Sequence, residues 1–291
     1  MTTPGTLFCF GLGYSAMAVS RRLDAAGWTI SGTCRKSVRK SALGALGISA
    51  AIFDGENPME PVDLLQSATH ILLSIPPGRD GDPAFKQHAD DIASVGTVEW
   101  VGYFSTTGVY GDRDGGWVDE TSELRPSSAR GQRRVDAERS WVEWGNRYGI
   151  SVQIFRLPGI YGPGRSAVDQ VKAGTARRIS KPGHVFSRIH VEDIATTVAA
   201  SIERPNAGAI YNVCDNEPSA SGDVVAYVCE LLNQEPPPEI PYNQAVMSAM
   251  AKSFWSDNRR VRSERIKEEL GVRLDFPNYR IGIRGILGLG G

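Results

Sequence analysis

The sequence predicts an α/β fold: a doubly wound parallel sheet with helices on both faces. Three observations predict it. Short, continuously apolar segments alternate with segments of helical spacing through the first half of the chain. Those apolar segments lack the polar–apolar alternation of a half-exposed strand, so both of their faces are expected to be covered. The first of them runs through a glycine turn directly into a helix. With 291 residues, the chain can bury one large core or two smaller ones.

The elements follow in order. TLFCF (6–10) is short, apolar and rich in strand formers; residues 14–26 carry Met17, Val19, Leu23 and Ala26 at helical spacing and stop at Gly27. TISGTC (29–34) is a second strand and 37–46 a short helix. AAIF (50–53), HILLSI (70–75) and VEWVGYFS (98–105) are further strands, with a helix-like segment at 83–95 before the last. A long helix is expected over 128–147, then the strand ISVQIF (150–155). Beyond Arg156 the pattern loosens. LPGIYGPGRS reads as loop, 167–178 as a helix, and 190–203 as a helix whose N-terminus is favoured by Glu192 and Asp193. AIYNV (209–213) returns to strand. NQEPPPEIP (233–241) is a proline-rich hinge or lid edge, and 258–270 a basic surface helix.

Composition excludes several classes. A net charge of −1 gives no global basic field for nucleic acid or membrane. No apolar run reaches the roughly 18 residues of a span. Glycines interrupt TLFCFGLGYSAMAV and no cationic segment precedes it, so a signal peptide is not expected. Cys9, Cys34, Cys214 and Cys229 are scattered, form no CxxC pair and suggest no metal site. They read as buried thiols in a reducing compartment, and the protein is expected to be cytoplasmic.

The turn FCFGLGYSA fits GxGxxG/A, with Gly11, Leu12, Gly13, Tyr14, Ser15 and Ala16 in the motif. Gly11 permits the tight turn, Gly13 lets a diphosphate approach the backbone, and Ala16 lets helix and strand pack closely. The helix N-terminus would face the phosphates, so a dinucleotide is expected. At the end of the second strand, where an NAD site places an acid, stand Arg35 and Lys36. Cations there suit a 2′-phosphate, which favours NADP over NAD; both could equally be solvated surface charges. Asp54 after the third strand either accepts from the adenine amino group or serves a turn. SIPPG after the fourth strand, with Ile75, Pro76 and Pro77, is expected to line the cofactor.

FSTTGVYGD (104–112) is harder to explain as packing. With RLPGIYGPG (156–164), IHVEDIA (189–195) and AIYNVCDNEP (209–218) in the same order, it resembles the extended short-chain dehydrogenases/reductases, the epimerase/dehydratase family. The resemblance covers nearly the whole chain. It implies a Rossmann domain over 1–156, completed by about 188–212, and a smaller discontinuous substrate lid over 157–187 and 213–291. It implies that Thr106 bonds the reacting oxygen, with Ser105 and Thr107 as second choices, and that Pro158 lies against the cofactor. It also implies a homodimer through a two-helix contact that includes 128–147.

The family's Tyr-x-x-x-Lys pair is missing. Counting back from Ala137 and Glu138, Arg130 stands at the tyrosine position and Arg134 at the lysine position, on one helix face. The chain therefore resembles the atypical branch of the family. Arginine holds anions but does not deliver protons. The pair either faces the cofactor and a phosphate, carboxylate or enolate-like oxygen, or is satisfied by nearby acids such as Asp136 and Glu138. Tyr110, Tyr161 and His190 are the candidate proton sources, Tyr110 the best placed phenol. Residues 165–188 carry six cations, Arg165, Lys172, Arg177, Arg178, Lys181 and Arg188, against Asp169 alone. That excess suits a small anionic substrate, or simply a solvated helix face. Two functions fit: an NADP-dependent oxidoreductase or epimerase on a small anionic hydroxyl or carbonyl compound or sugar derivative, or a catalytically impaired NADP(H)-binding regulator.

Overall fold

The structure, a computed structural model, describes residues 3–289; residues 1–2 and 290–291, at the outer ends of the expected domain ranges, lie outside the described residues. The chain opens β1 (Thr6–Phe10), α1 (Tyr14–Asp24), β2 (Thr29–Cys34), α2 (Ser37–Gly44), β3 (Ser49–Ile52), α3 (Asp63–Gln66), β4 (His70–Leu73), α4 (Pro83–Ser94) and β5 (Trp100–Thr106). After the short strand β6 (Trp117–Val118) come α5 (Ala129–Tyr148) and β7 (Ser151–Leu157). Seven parallel strands, including β11 described below, form the central sheet in the order β11-β7-β5-β4-β1-β2-β3.

The reason for the uninterrupted apolar strands is visible in β1. Leu7 and Cys9 enter the core on the face covered by α1, whereas Phe8 and Phe10 enter the core on the face covered by α4 and α5. Each strand residue thus has an apolar neighbour whichever way it points. On the second face Trp141 and Trp144 of α5 pack edge to face, 5.4 Å apart.

The second half differs from the sequence reading in several places. LPGIYGPGRS contains β8 (Gly159–Tyr161), and the helix expected over 167–178 ends early, as α6 (Ala167–Lys172). Gly174, at φ +66°, turns the chain into β9 (Arg178–Ser180). Next come β10 (Arg188–His190), which pairs with β8, then α7 (Val191–Glu203) and β11 (Ile210–Asn212). α8 (Ser221–Leu231) follows; Val224, Val225, Val228 and Cys229 share its buried side, a helical spacing that sequence reading had passed over. The proline-rich stretch ends in β12 (Glu239–Pro241), which pairs with β9. α9 (Ala249–Trp255) precedes the largest departure. The expected basic helix over 258–270 is instead β13 (Arg260–Val261), a turn, and the five-residue α10 (Glu264–Glu268). Tertiary pairing overrides the helical pattern: Val261 is buried as β13 aligns with β6, and the Asn258 N–H donates to Asp112 Oδ1 at 2.7 Å. α11 (Tyr279–Ile286) packs with α6 and α8 in a small core of its own, around Val168, Val228 and Ile283. Among the described residues no helix is long and apolar enough to cross a membrane.

Candidate active site

A cleft of about 870 Å³ opens beyond the C-terminal ends of β1, β5 and β7, where Gly13, Thr106 and Pro158 line it. This is where ligands settle in open parallel sheets. The glycine turn forms one wall. Gly11 sits at φ +91°, and a side chain there would stand 2.9 Å from Ile75 Cγ1. Its carbonyl accepts from Ser74 Oγ at 2.6 Å, and its N–H donates to Thr33 Oγ1 at 2.8 Å. Gly13 is different: a Cβ there would meet no atom within 4 Å. The backbone before α1 is therefore bare toward open space, and the first N–H groups of an 11-residue helix face it without intrahelical partners. These residues fit a dinucleotide diphosphate.

The other expected cofactor residues divide. Tyr14, Ser15 and Pro158 line the cleft. Leu12 and Ala16 are buried in the core, where Ala16 lets α1 lie close to the sheet. Ile75 packs beneath Gly11, and Ser74, rather than the following Ile75, Pro76 and Pro77, reaches the lining. Arg35 and Lys36 are exposed beside the end of β2. Arg39, which sequence reading passed over, joins them: its Nη2 lies 3.4 Å from the Leu12 carbonyl. Asp54 is a turn residue. Its carboxylate accepts from the N–H groups of Glu56 and Asn57, at 2.8 and 3.1 Å, and those bonds hold its pKa below the usual range.

Thr106 ends β5 and caps the following turn, accepting from the Gly108 N–H at 3.1 Å, and it lines the cleft. Ser105 points instead to buried Glu138, and Thr107 is buried. Across from the turn stand Arg130 and Arg134. Arg134 is buried, with Nη1 donating to the Phe104 carbonyl and, at 3.1 Å, to the Tyr103 phenol. Arg130 lies against the Phe254 ring, 5.7 Å from its centroid. Burial, together with the charges of Arg134 and Arg133, lowers its pKa. Neither has a carboxylate within ion-pair distance among the described residues. The expected acids are engaged elsewhere: Glu138 holds Arg156, and Asp136 accepts from Gln132. Both arginines line the cleft, and the charge of Arg134 is also felt by buried Asp82.

None of the three candidate proton sources is a free donor there. Tyr110 does not line the cleft. Its phenol, fully buried, donates to Asn212 Oδ1 at 2.8 Å and accepts from Arg156 Nη1 at 2.9 Å; burial pushes its pKa up to about 12. His190 caps α7 through Nδ1 and packs on Phe276, and burial pulls it down to about 4. Tyr161 does line the cleft, but its hydroxyl points to the Asn278 carbonyl at 3.4 Å and burial raises its pKa.

Sequence reading missed Arg259, placed there on a surface helix. It lines the cleft with Arg130, Arg134, Arg165 and Arg188, five arginines against Asp169 and Asp257. Asp169 caps α6 through Ser166, and Asp257 pairs with Arg259 at 3.0 Å. The lining is strongly cationic within a nearly neutral protein, which focuses anions.

Comparison with known proteins agrees with this geometry. A functionally unknown conserved protein from Silicibacter pomeroyi is 48% identical, with a TM-score of 0.90 over 98% of this chain and 99% of its own. Protein YeeZ of Escherichia coli K12 is 27% identical over 92% of this chain and 95% of its length. The dTDP-glucose 4,6-dehydratase of Bacillus anthracis, solved with NAD, shares the fold at 15% identity, with a TM-score of 0.76 over 99% of this chain and 96% of its own. Residues 92–214 match the model of the NAD dependent epimerase/dehydratase family. That segment is similar to this family. The matched segment runs from α4 to Cys214 and carries Thr106, Arg130, Arg134 and Pro158. The glycine turn lies before it and forms one wall of the cleft.

Proposed function

We propose that the protein is an NADP-dependent oxidoreductase or epimerase acting on a small anionic hydroxyl or carbonyl compound or sugar derivative. The observation that carries this reading is the pair Arg130 and Arg134, without carboxylate partners, across the cleft from a bare glycine turn. A bound nicotinamide would supply or accept hydride at the substrate carbon. Thr106 would donate to the reacting oxygen and Arg130 would stabilise negative charge on it. Since arginine keeps its proton, the alkoxide would take one from water entering the open cleft. Loss of a positioned acid typically costs about 10²–10⁴ in rate, so slow turnover is expected.

Arg35, Lys36 and Arg39 support NADP over NAD, although the Bacillus anthracis relative was solved with NAD. We place the substrate lid at 157–187 and 213–291 and a homodimer contact on α5; sedimentation with and without surface substitutions on α5 tests the latter. The main test is a screen of purified protein for NADPH oxidation or NADP⁺ reduction across keto acids, sugars and aldehydes. Turnover of at least one anionic carbonyl is expected. Tight coenzyme binding without turnover of any of them would instead favour a coenzyme-binding regulator, the reading that the engagement of Tyr110, Tyr161 and His190 elsewhere supports.

A further inference from the structure

Arg259 reaches the cleft from the segment just before β13. Its Nη1 donates to the Gly111 carbonyl at 2.9 Å and to Asp257 Oδ2 at 3.0 Å. Its Nε is buried without a partner. Its Nη2 stands 4.0 Å from the point where a Cβ on Gly108 would lie, and Thr106 Oγ1 stands 3.4 Å from that same point. A guanidinium and the hydroxyl expected to hold the reacting oxygen thus both border the space over Gly108.

Helix α5 closes the space from the other side. Gly131 packs against the same turn, where a Cβ would lie 3.2 Å from the Gly108 carbonyl, and this brings Arg130 alongside. Arg134 follows one helical turn later. Three arginines therefore line the cleft with Thr106; Asp257 pairs with Arg259, and buried Asp82 feels the charge of Arg134. Arg134 is 9% exposed and the Arg259 side chain 16%, so water reaches both poorly. Buried like charges repel unless an anion lies between them. The guanidinium fork matches the two oxygens of a carboxylate.

We propose that the substrate carries a carboxylate bonded directly to its reacting carbon, as in 2-oxo and 2-hydroxy acids, gripped by Arg130, Arg134 and Arg259 around Thr106. The inference rests on the reading of Thr106 as holder of the reacting oxygen. A diphosphate at the far side of a sugar ring would be several bonds too distant to use these three arginines. Gly108 then acts as the specificity position: its missing side chain leaves the room that the acid fills.

Calorimetric titration with oxalate tests this, on the full-length protein with and without saturating NADP⁺. Binding at one site with a Kd below about 1 mM is expected. Arg130→Gln and Arg259→Gln should each weaken it at least tenfold. Gly108→Ala, whose added methyl makes only ordinary contacts, should abolish it while thermal unfolding stays cooperative. NADP⁺ affinity should change less than threefold in all three. Oxalate binding that is absent from the native protein, or indifferent to these substitutions, overturns the proposal. So does UDP competing with oxalate more tightly than inorganic phosphate does, since that would assign the arginines to a diphosphate. If NADP⁺ fails to bind but arginine-dependent oxalate binding persists, the coenzyme reading falls and the acid site stands.

Discussion

Glu138 and Arg156 face each other beneath the cleft, with Arg156 Nη2 2.7 Å from Glu138 Oε2 and Nε 3.2 Å from each carboxylate oxygen. Their side chains are 6% and 2% exposed. Ser105 donates to the same carboxylate, and Arg156 passes the network on to Tyr110, Asn212 and the Glu120 carboxylate. The network ties α5, β5, β7 and β11 together directly under Thr106. It also explains why neither Arg130 nor Arg134 pairs with Glu138: that carboxylate, one of the two acids that sequence spacing offered, is used from the far side.

Glu138→Ala strands a buried guanidinium. Breaking such a pair costs about 3–5 kcal/mol, a large share of a typical domain's stability. Urea unfolding should show the midpoint falling accordingly. An unchanged midpoint would mean that the pair is not buried in solution.

Burial pushes Asp215 up to about 7, with its Oδ2 lacking a partner. Between the unfolded value near 4 and 7, the folded protein keeps a proton that the unfolded chain has released. Native stability therefore falls as pH rises through that window. Asp215→Asn removes the effect. Its stability relative to the native protein should climb by up to about 1.4 kcal/mol per pH unit between pH 4.5 and 6.5. Denaturation at three pH values measures the slope, and a flat difference would contradict the shift.

The two turn glycines should separate stability from binding. Gly11→Val forces a side chain into a φ of +91° and against Ile75; a cost of about 1–3 kcal/mol is expected. Gly13→Val projects into open space, so Tm should hardly move, while affinity for either nicotinamide coenzyme should drop at least about tenfold. Unchanged coenzyme titration in the Gly13 variant would refute the diphosphate site.

The cations after β2 are proposed to set the coenzyme preference. Replacing Arg35, Lys36 and Arg39 together by glutamine should weaken NADP⁺ by about tenfold or more, with NAD⁺ within about threefold. Equal losses for both would show that these side chains do not read the 2′-phosphate.

The nucleotide half of the fold was readable because local and tertiary forces agree there. Leu7 through Phe10 can only be a strand covered on both sides, and Gly11 and Gly13 are small for separate steric reasons. The second half was less readable because several of its elements are short and exist through pairing. Val261 lies in a segment that reads as helix and becomes strand only against Val118. Arg259 looked like one more surface cation for the same reason, since nothing local reveals that Asp112 and Gly111 will hold its neighbourhood in place. Tyr110 misled in the opposite sense: its position in the motif was right, but Arg156 and Asn212, remote in sequence, consume its hydroxyl. The arginine pair was located by counting from Ala137 and Glu138, and its exposure to the cleft followed only once Glu138 was seen to belong to Arg156.

The ribbon of β6 and β13 has a consequence for biosynthesis. It joins Trp117 to Arg260, and beside it Arg259 bonds the carbonyl of Gly111, 148 positions away, whereas the seven-stranded sheet is complete by Asn212. A chain still emerging from the ribosome can assemble its coenzyme wall first and receive the last guanidinium only near release. A growing polypeptide would thus hold a dinucleotide before it can grasp an organic acid.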